Sequence, residues 1–122
     1  MNIMVFDIET IPDVQAGRRL YDLQGLDDAD VARVLACKQL EKSGGHNDFL
    51  PLPLHQVVAI SIVLRRGDQF RVWSLGDIES NEKEIISRFF EGIERYAPTL
   101  VSWNGSAFDL PVLHYRSLLK FY

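Results

Sequence analysis

Ile3-Met4-Val5-Phe6-Asp7-Ile8-Glu9 is the stretch on which the reading of this chain turns. Its β-branched and aromatic residues run up to Thr10-Ile11-Pro12-Asp13, the composition of a β-strand closed by a turn. Strand alternation puts Met4, Phe6 and Ile8 on one face and Val5, Asp7 and Glu9 on the other. Apolar residues on both faces at its start predict a central strand, buried on each side. Asp7 and Glu9, two residues apart, project from the same face. They stand at the carboxyl end of the strand, where ligand sites of open α/β sheets collect.

Working outward, residues 13–54 separate this strand from the next. The spacing predicts a helix over 28–43, with Val31, Val34, Leu35 and Leu40 on one stripe and Gly44-Gly45 as its stop. Leu50-Pro51-Leu52-Pro53 cannot be a helix interior, and polar connections fill the rest. So long a connection is either a functional flap or an ordinary packed insertion. Residues 56–64 and 69–74 read as an antiparallel hairpin turning at Arg65-Arg66-Gly67-Asp68. A helix is predicted over 81–96, opened by Asn81 and Glu84 in capping-box spacing and burying Ile85, Ile86, Phe89, Phe90 and Ile93. Pro98 ends it. Residues 100–103 form a short buried strand, and Asn104-Gly105 turns the chain into a last helix from about Asp109. Pro111 sits in its tolerated first turn, and the helix runs on to Tyr122. The order is β, insertion, β-β hairpin, α, β, α, with the first and last strands side by side and parallel across a helical crossover.

Composition bounds the rest. The chain has 122 residues, 47% hydrophobic and 25% charged, which suits a single soluble domain over 1–122. A net charge of −4 leaves no broad basic face for long-range capture of nucleic acid. Cys37 is the single cysteine, which excludes an internal disulfide and fits a reducing, cytoplasmic compartment. The first residues carry no basic n-region, and the longest apolar run, VVAISIVL from Val57, is too short to span a bilayer. No membrane is expected.

Asp109 follows the carboxyl end of the second parallel strand, so Asp7, Glu9 and Asp109 are expected to converge on one crevice. Crowded carboxylates raise each other's pKa unless a cation intervenes. Oxygen ligands without a Cys/His cluster select Mg²⁺ or Mn²⁺. Two such ions about 4 Å apart can activate water and stabilise a leaving oxygen in phosphodiester cleavage. Each residue also has an ordinary reading. A lone Asp-x-Glu at a strand end is common, and Asp109 can serve as a helix N-cap. Asn104-Gly105 can be a simple turn, Trp103 and Phe108 core or pocket wall, and Cys37 helix packing. His55 and His114 read as surface or packing residues, Arg65-Arg66 as a solvated tip, and Arg18-Arg19 as an exposed pair.

Val5-Phe6-Asp7-Ile8-Glu9-Thr10 resembles the first motif of the DEDD (DnaQ-like) 3′–5′ exonucleases. Val101-Ser102-Trp103-Asn104-Gly105-Ser106-Ala107-Phe108-Asp109-Leu110-Pro111-Val112-Leu113 resembles the second. The wording FDLPVL and the long insertion are most similar to predicted exonucleases related to the proofreading domain of family B DNA polymerases. The resemblance covers essentially the whole chain. It implies an RNase H-like α/β fold, a mixed sheet with the first strand central, the hairpin on one side, the parallel strand on the other and helices on the faces. It implies two Mg²⁺ or Mn²⁺ ions, with Asp7 bridging them, Glu9 completing the nucleophile side and Asp109 holding the second, often through water. Ile8, Thr10, Asn104 and Phe108 would bind the substrate, the 3′ end of a single-stranded nucleic acid, DNA or RNA. The reaction implied is hydrolysis of the 3′-terminal phosphodiester.

The family's third motif places a Tyr or His four residues before a fourth acid, yet residues 110–122 contain no Asp or Glu. Tyr115 and His114 therefore cannot supply it. The expectation is the N-terminal half of a longer exonuclease, without the last strand and helices of the fold and weak or inactive alone. An unpaired edge on the 100–103 strand and an uncovered last helix would favour a homodimer. Two rival functions stand beside this one. A non-catalytic nucleic-acid-binding or interaction module would bind without metal. A glycosidase using Asp7 and Glu9 would leave Asp109 and Asn104-Gly105 without a role.

Overall fold

The computed structural model describes residues 1–121. In chain order the elements are β1 (Asn2–Pro12), α1 (Val14–Tyr21), α2 (Asp28–Lys42), a 3₁₀ turn (Leu52–Leu54), β2 (His55–Arg66), β3 (Gln69–Leu75), α3 (Glu82–Tyr96), β4 (Thr99–Val101), a π turn (Gly105–Asp109) and α4 (Leu110–Phe121). They divide between two compact units, Met1–Thr10 with Val57–Tyr122, and Ile11–Gln56. The expectation that the last helix continues into Tyr122 lies outside the described residues.

The sheet has the order β3-β2-β1-β4. β2 and β3 form the antiparallel hairpin, from Ile60 opposite Leu75 to Arg66 opposite Gln69. β4 runs parallel to β1, pairing Ile3 with Thr99, Met4 with Leu100 and Val5 with Val101. Parallel neighbours need a crossover, and α3 lies in it. This mixed sheet is consistent with a partial RNase H-like fold, as its sequence implied.

Only one face of β1 is buried. Met4, Phe6 and Ile8 join Ile60, Ile62 and Leu64 of β2, Ile85, Ile86 and Phe89 of α3, and Val112 and Leu113 of α4 in the core. The Phe6 and Phe89 rings stand 5.0 Å apart, tilted by 54°. On the opposite face Val5 is 44% exposed, and Asp7 and Glu9 are exposed too. Burial on both faces of β1 is therefore not realised: α3 and α4 bury one layer, and the other face stays open. β1 also runs past the expected stop, through Thr10 to Pro12. Proline, which lacks an N–H to donate, is the residue at which the strand ends.

Local chemistry explains the joints. Asn81 caps α3 by accepting from the Glu84 N–H at 2.8 Å, and Pro98 follows soon after its end. Phe90 is 40% exposed, so the buried stripe of α3 is narrower than its periodicity predicted. Gly76 adopts φ +105°, and a Cβ there would meet the Val58 carbonyl oxygen at 2.5 Å, so the exit of β3 needs glycine.

A buried ion pair closes this unit. The Glu82 carboxylate accepts from the Val57 N–H at 2.6 Å and from Arg116 Nε at 2.9 Å, while Arg116 Nη2 donates to Oε1 at 2.6 Å. It joins the starts of β2 and α3 to the middle of α4.

In the second unit Val31, Leu35 and Leu50 are buried, with Val14, Tyr21, Leu23 and Leu54 packed on them. α1, capped by Asp13 through the Ala16 N–H, stands where polar connection was expected. Leu40 leaves the predicted stripe of α2 and is exposed, because it lies about two and a half turns beyond Val31. Cys37 is exposed as well, so it does not pack. Arg18 is not a free surface cation: its Nη2 donates to Asp28 at 2.7 Å and to the Leu26 carbonyl at 2.9 Å. No helix among the described residues is long and apolar enough to cross a membrane.

Candidate functional site

The carboxyl half of β1 carries two of the three candidate acids. Asp7 and Glu9 follow Val5 on the open face of the sheet, because alternation sends their neighbours Phe6 and Ile8 into the core. Asp7 also borders a shallow cavity of about 260 Å³ on that face, with Val5, Ser61, Val63, Val72 and Ser74 along its sides.

Asp109 arrives by a different route. After β4 the chain turns at Asn104, whose carbonyl accepts from the Ala107 N–H at 3.2 Å and the Phe108 N–H at 2.9 Å. A π turn over Gly105–Asp109 follows, closed by the Leu110 N–H on the Gly105 carbonyl. Such wide turns recur at functional sites. Asp109 is 4% exposed, and its Oδ2 accepts from Ser102 Oγ at 3.0 Å. The N-cap expected of Asp109 is not what the structure has. Helical bonding begins at Gly105, so Asp109 already lies inside a helical turn and its carboxylate goes to Ser102.

The three acids do not meet in one cluster. Among the described residues no three His, Cys, Asp or Glu side chains stand close enough to hold a metal ion. Asp7 and Glu9 are exposed on a strand face, whereas Asp109 is buried against Ser102. The donor chemistry of the Asp7–Glu9 pair still suits a hard cation. Magnesium is commonly held by one or two carboxylates, with water and phosphate oxygens completing its shell.

The other expected site residues fall around these acids. Ile8 is buried with its side chain in the core, Thr10 and Phe108 are half-buried, and Asn104 is exposed. Trp103 is fully exposed, which removes the core reading for it. It borders a cavity of about 340 Å³ together with Phe6, Leu100, Ser102, Asn104 and Ser106. His114 is exposed, and His55 packs on Phe49 with its ring nitrogen 3.1 Å from the Leu50 carbonyl, in line with packing roles. Arg65 and Arg66 are an exposed hairpin tip, as expected. Ser102 escaped the sequence reading: a serine after a short strand carries no signal until the turn brings it back to Asp109.

The family model described as a predicted 3′–5′ exonuclease related to the exonuclease domain of PolB matches residues 47–121. The chain belongs to this family. In this PolB-exonuclease-related domain the match takes in Ser102, Asn104, Phe108 and Asp109, while Asp7 and Glu9 precede it. DNA polymerase 1 of Sulfolobus acidocaldarius is 40% identical to the domain over 42 residues, 34% of this chain and 5% of the polymerase. The domain thus spans a small part of the length of that polymerase.

Proposed function

We propose that this domain is a metal-dependent 3′–5′ exonuclease acting on the 3′ end of single-stranded DNA or RNA. Family membership supports the reaction class, and one observation supports the chemistry. Asp7 and Glu9 stand exposed on the open face of β1, in the middle and carboxyl half of the strand, next to the parallel strand whose continuation leads to Asp109.

Two Mg²⁺ or Mn²⁺ ions, when bound, would supply an activated water and neutralise charge on the leaving oxygen. Asp7 and Glu9 would hold them, with Asp109 as the third acid. Ser102 fixes the Asp109 carboxylate by its 3.0 Å hydrogen bond. Thr10 and the Ile8 backbone would face the terminal nucleotide, and Asn104 and Phe108 would shape its pocket. No acid follows Asp109 in these 122 residues, so turnover by this chain alone is expected to be slow. A cytoplasmic location is part of the same proposal.

The test is the trimming of 5′-labelled single strands in Mn²⁺ or Mg²⁺. Shortening from the 3′ end only, stopped by EDTA and slowed at least about a hundredfold by Asp7→Ala, is the expected result. Internal cuts, metal-independent cleavage or full activity in Asp7→Ala would contradict it. A second reading, a nucleic-acid-binding module without turnover, is favoured by the lack of a three-acid cluster among the described residues. Oligonucleotide binding indifferent to EDTA and to Asp7→Ala, with no trimming, would select it.

A further inference from the structure

Trp103 stands at the tip of the turn between β4 and α4, fully exposed. Large aromatic side chains are highly buried on average, and ligand pockets are lined predominantly by apolar and aromatic side chains with a few polar groups. This indole is displayed on a fixed support. Gly105 packs onto Ser102 so closely that a Cβ would fall 2.9 Å from the Ser102 Cβ, and the Asn104 carbonyl takes two backbone N–H groups. The turn is therefore tied down on both sides of Trp103, and little conformational entropy remains to be lost when a ligand packs on the ring.

The surroundings set the kind of ligand. The cavity of about 340 Å³ that Trp103 borders has apolar walls in Phe6 and Leu100 and polar groups in Ser102, Asn104 and Ser106. A flat heteroaromatic ring with hydrogen-bonding edges matches that combination. The level also fits. β1 and β4 pair in parallel as far as Val5 and Val101, and two residues on from these stand Asp7 and Trp103. The cavity itself lies on the Phe6 and Leu100 side of the sheet, opposite the Asp7 face and on the side of Ser102. Ser102, the neighbour of Trp103, holds Asp109.

We propose that Trp103 is the platform on which a nucleobase of the substrate strand stacks, and that the cavity beside it is the site for that base. The inference rests on the exonuclease reading, which supplies the single-stranded ligand. Base–aromatic stacking tolerates any sequence, because every base has a π-face.

Trp73 and Trp103 are the two tryptophans, so a Trp73→Phe background lets fluorescence report on Trp103 alone. Short oligothymidylate is titrated in EDTA and again in Ca²⁺. Anisotropy of the labelled oligonucleotide is followed in parallel, and circular-dichroism melting checks that each variant is folded. The expected result is saturable quenching, binding weakened roughly tenfold by Trp103→Ala and largely kept by Trp103→Phe, and no quenching by an abasic oligomer. Binding that Trp103→Ala leaves unchanged, or binding without quenching, would overturn stacking and leave the exonuclease reading standing. Failure of the unmodified chain to bind oligonucleotide under either condition would remove that reading, and the stacking proposal with it. Unchanged oligonucleotide binding together with capture of a folded protein through Trp103 would likewise count against a base platform.

Discussion

Glu82 and Arg116 are 34 positions apart, and each side chain is 1% exposed. Two charges withdrawn from water hold each other only through well-formed hydrogen bonds, and here the carboxylate also takes the Val57 N–H. Removing one partner strands the other. Arg116→Leu is expected to lower stability by about 3–5 kcal/mol in urea unfolding followed by circular dichroism. The double change Glu82→Leu with Arg116→Leu should lose less than the single one, since no buried charge is left behind and Lys120, 3.8 Å from Glu82, is 40% exposed to water; a greater loss in the double variant would contradict this. Asp77 shows the exposed counterpart. The Ser80 hydroxyl, then the Glu79 and Ser80 N–H groups, hold its carboxyl below the ordinary value of 3.8. A depressed folded value means stability present above the unfolded pKa and lost as pH falls through the folded one. Asp77→Asn should therefore lower stability at neutral pH and merge with the unmodified chain below about pH 4, flattening the acid limb of the stability curve in urea unfolding. Neither partnership was legible in the sequence as a functional or packing signal. Residue type and spacing gave the shared face of Asp7 and Glu9, but not which distant group each buried charge would meet.

At the scale of elements, sequence periodicity worked where one face is buried and failed where geometry is set by a partner. The hairpin, α3 and the parallel β1–β4 pair follow from alternation, a capping residue and the crossover rule. α1 was hidden because it is only eight residues long and contains Gly17, too short a segment for its periodicity to stand out in the sequence. The π turn was hidden because it depends on Gly105 meeting Ser102, a contact visible only in three dimensions. Gly105→Ala is expected to push Ser102 aside, break its 3.0 Å bond to Asp109 and lower stability by about 1–3 kcal/mol. Urea unfolding checks the loss. A neutral substitution would mean that the turn is not fixed by this contact.

Across the described residues of the Met1–Thr10 and Val57–Tyr122 unit, one sheet face is packed and the other is open. Val5, Val72 and Val101 are 44%, 76% and 46% exposed, and Asp7 lies among them. Apolar residues occur on both faces of β1, yet only the Met4, Phe6 and Ile8 face is buried. Composition cannot say which layer supplies a cover. β4 forms the sheet edge next to β1 and presents three residues to pairing. A second copy of the chain at this edge is the proposed partner. Light scattering should then find a dimer at tens of micromolar, and a stable monomer there would count against it.

The central claim is that Asp7 and Glu9 hold a hard divalent cation for phosphodiester chemistry, with Asp109 as the third acid. Calorimetric titration of the chain with Mn²⁺, beside Asp7→Ala, tests it without waiting for turnover. The account predicts saturable binding in the unmodified chain that is lost in Asp7→Ala. Binding that survives Asp7→Ala unchanged, or no binding by the unmodified chain, would contradict it.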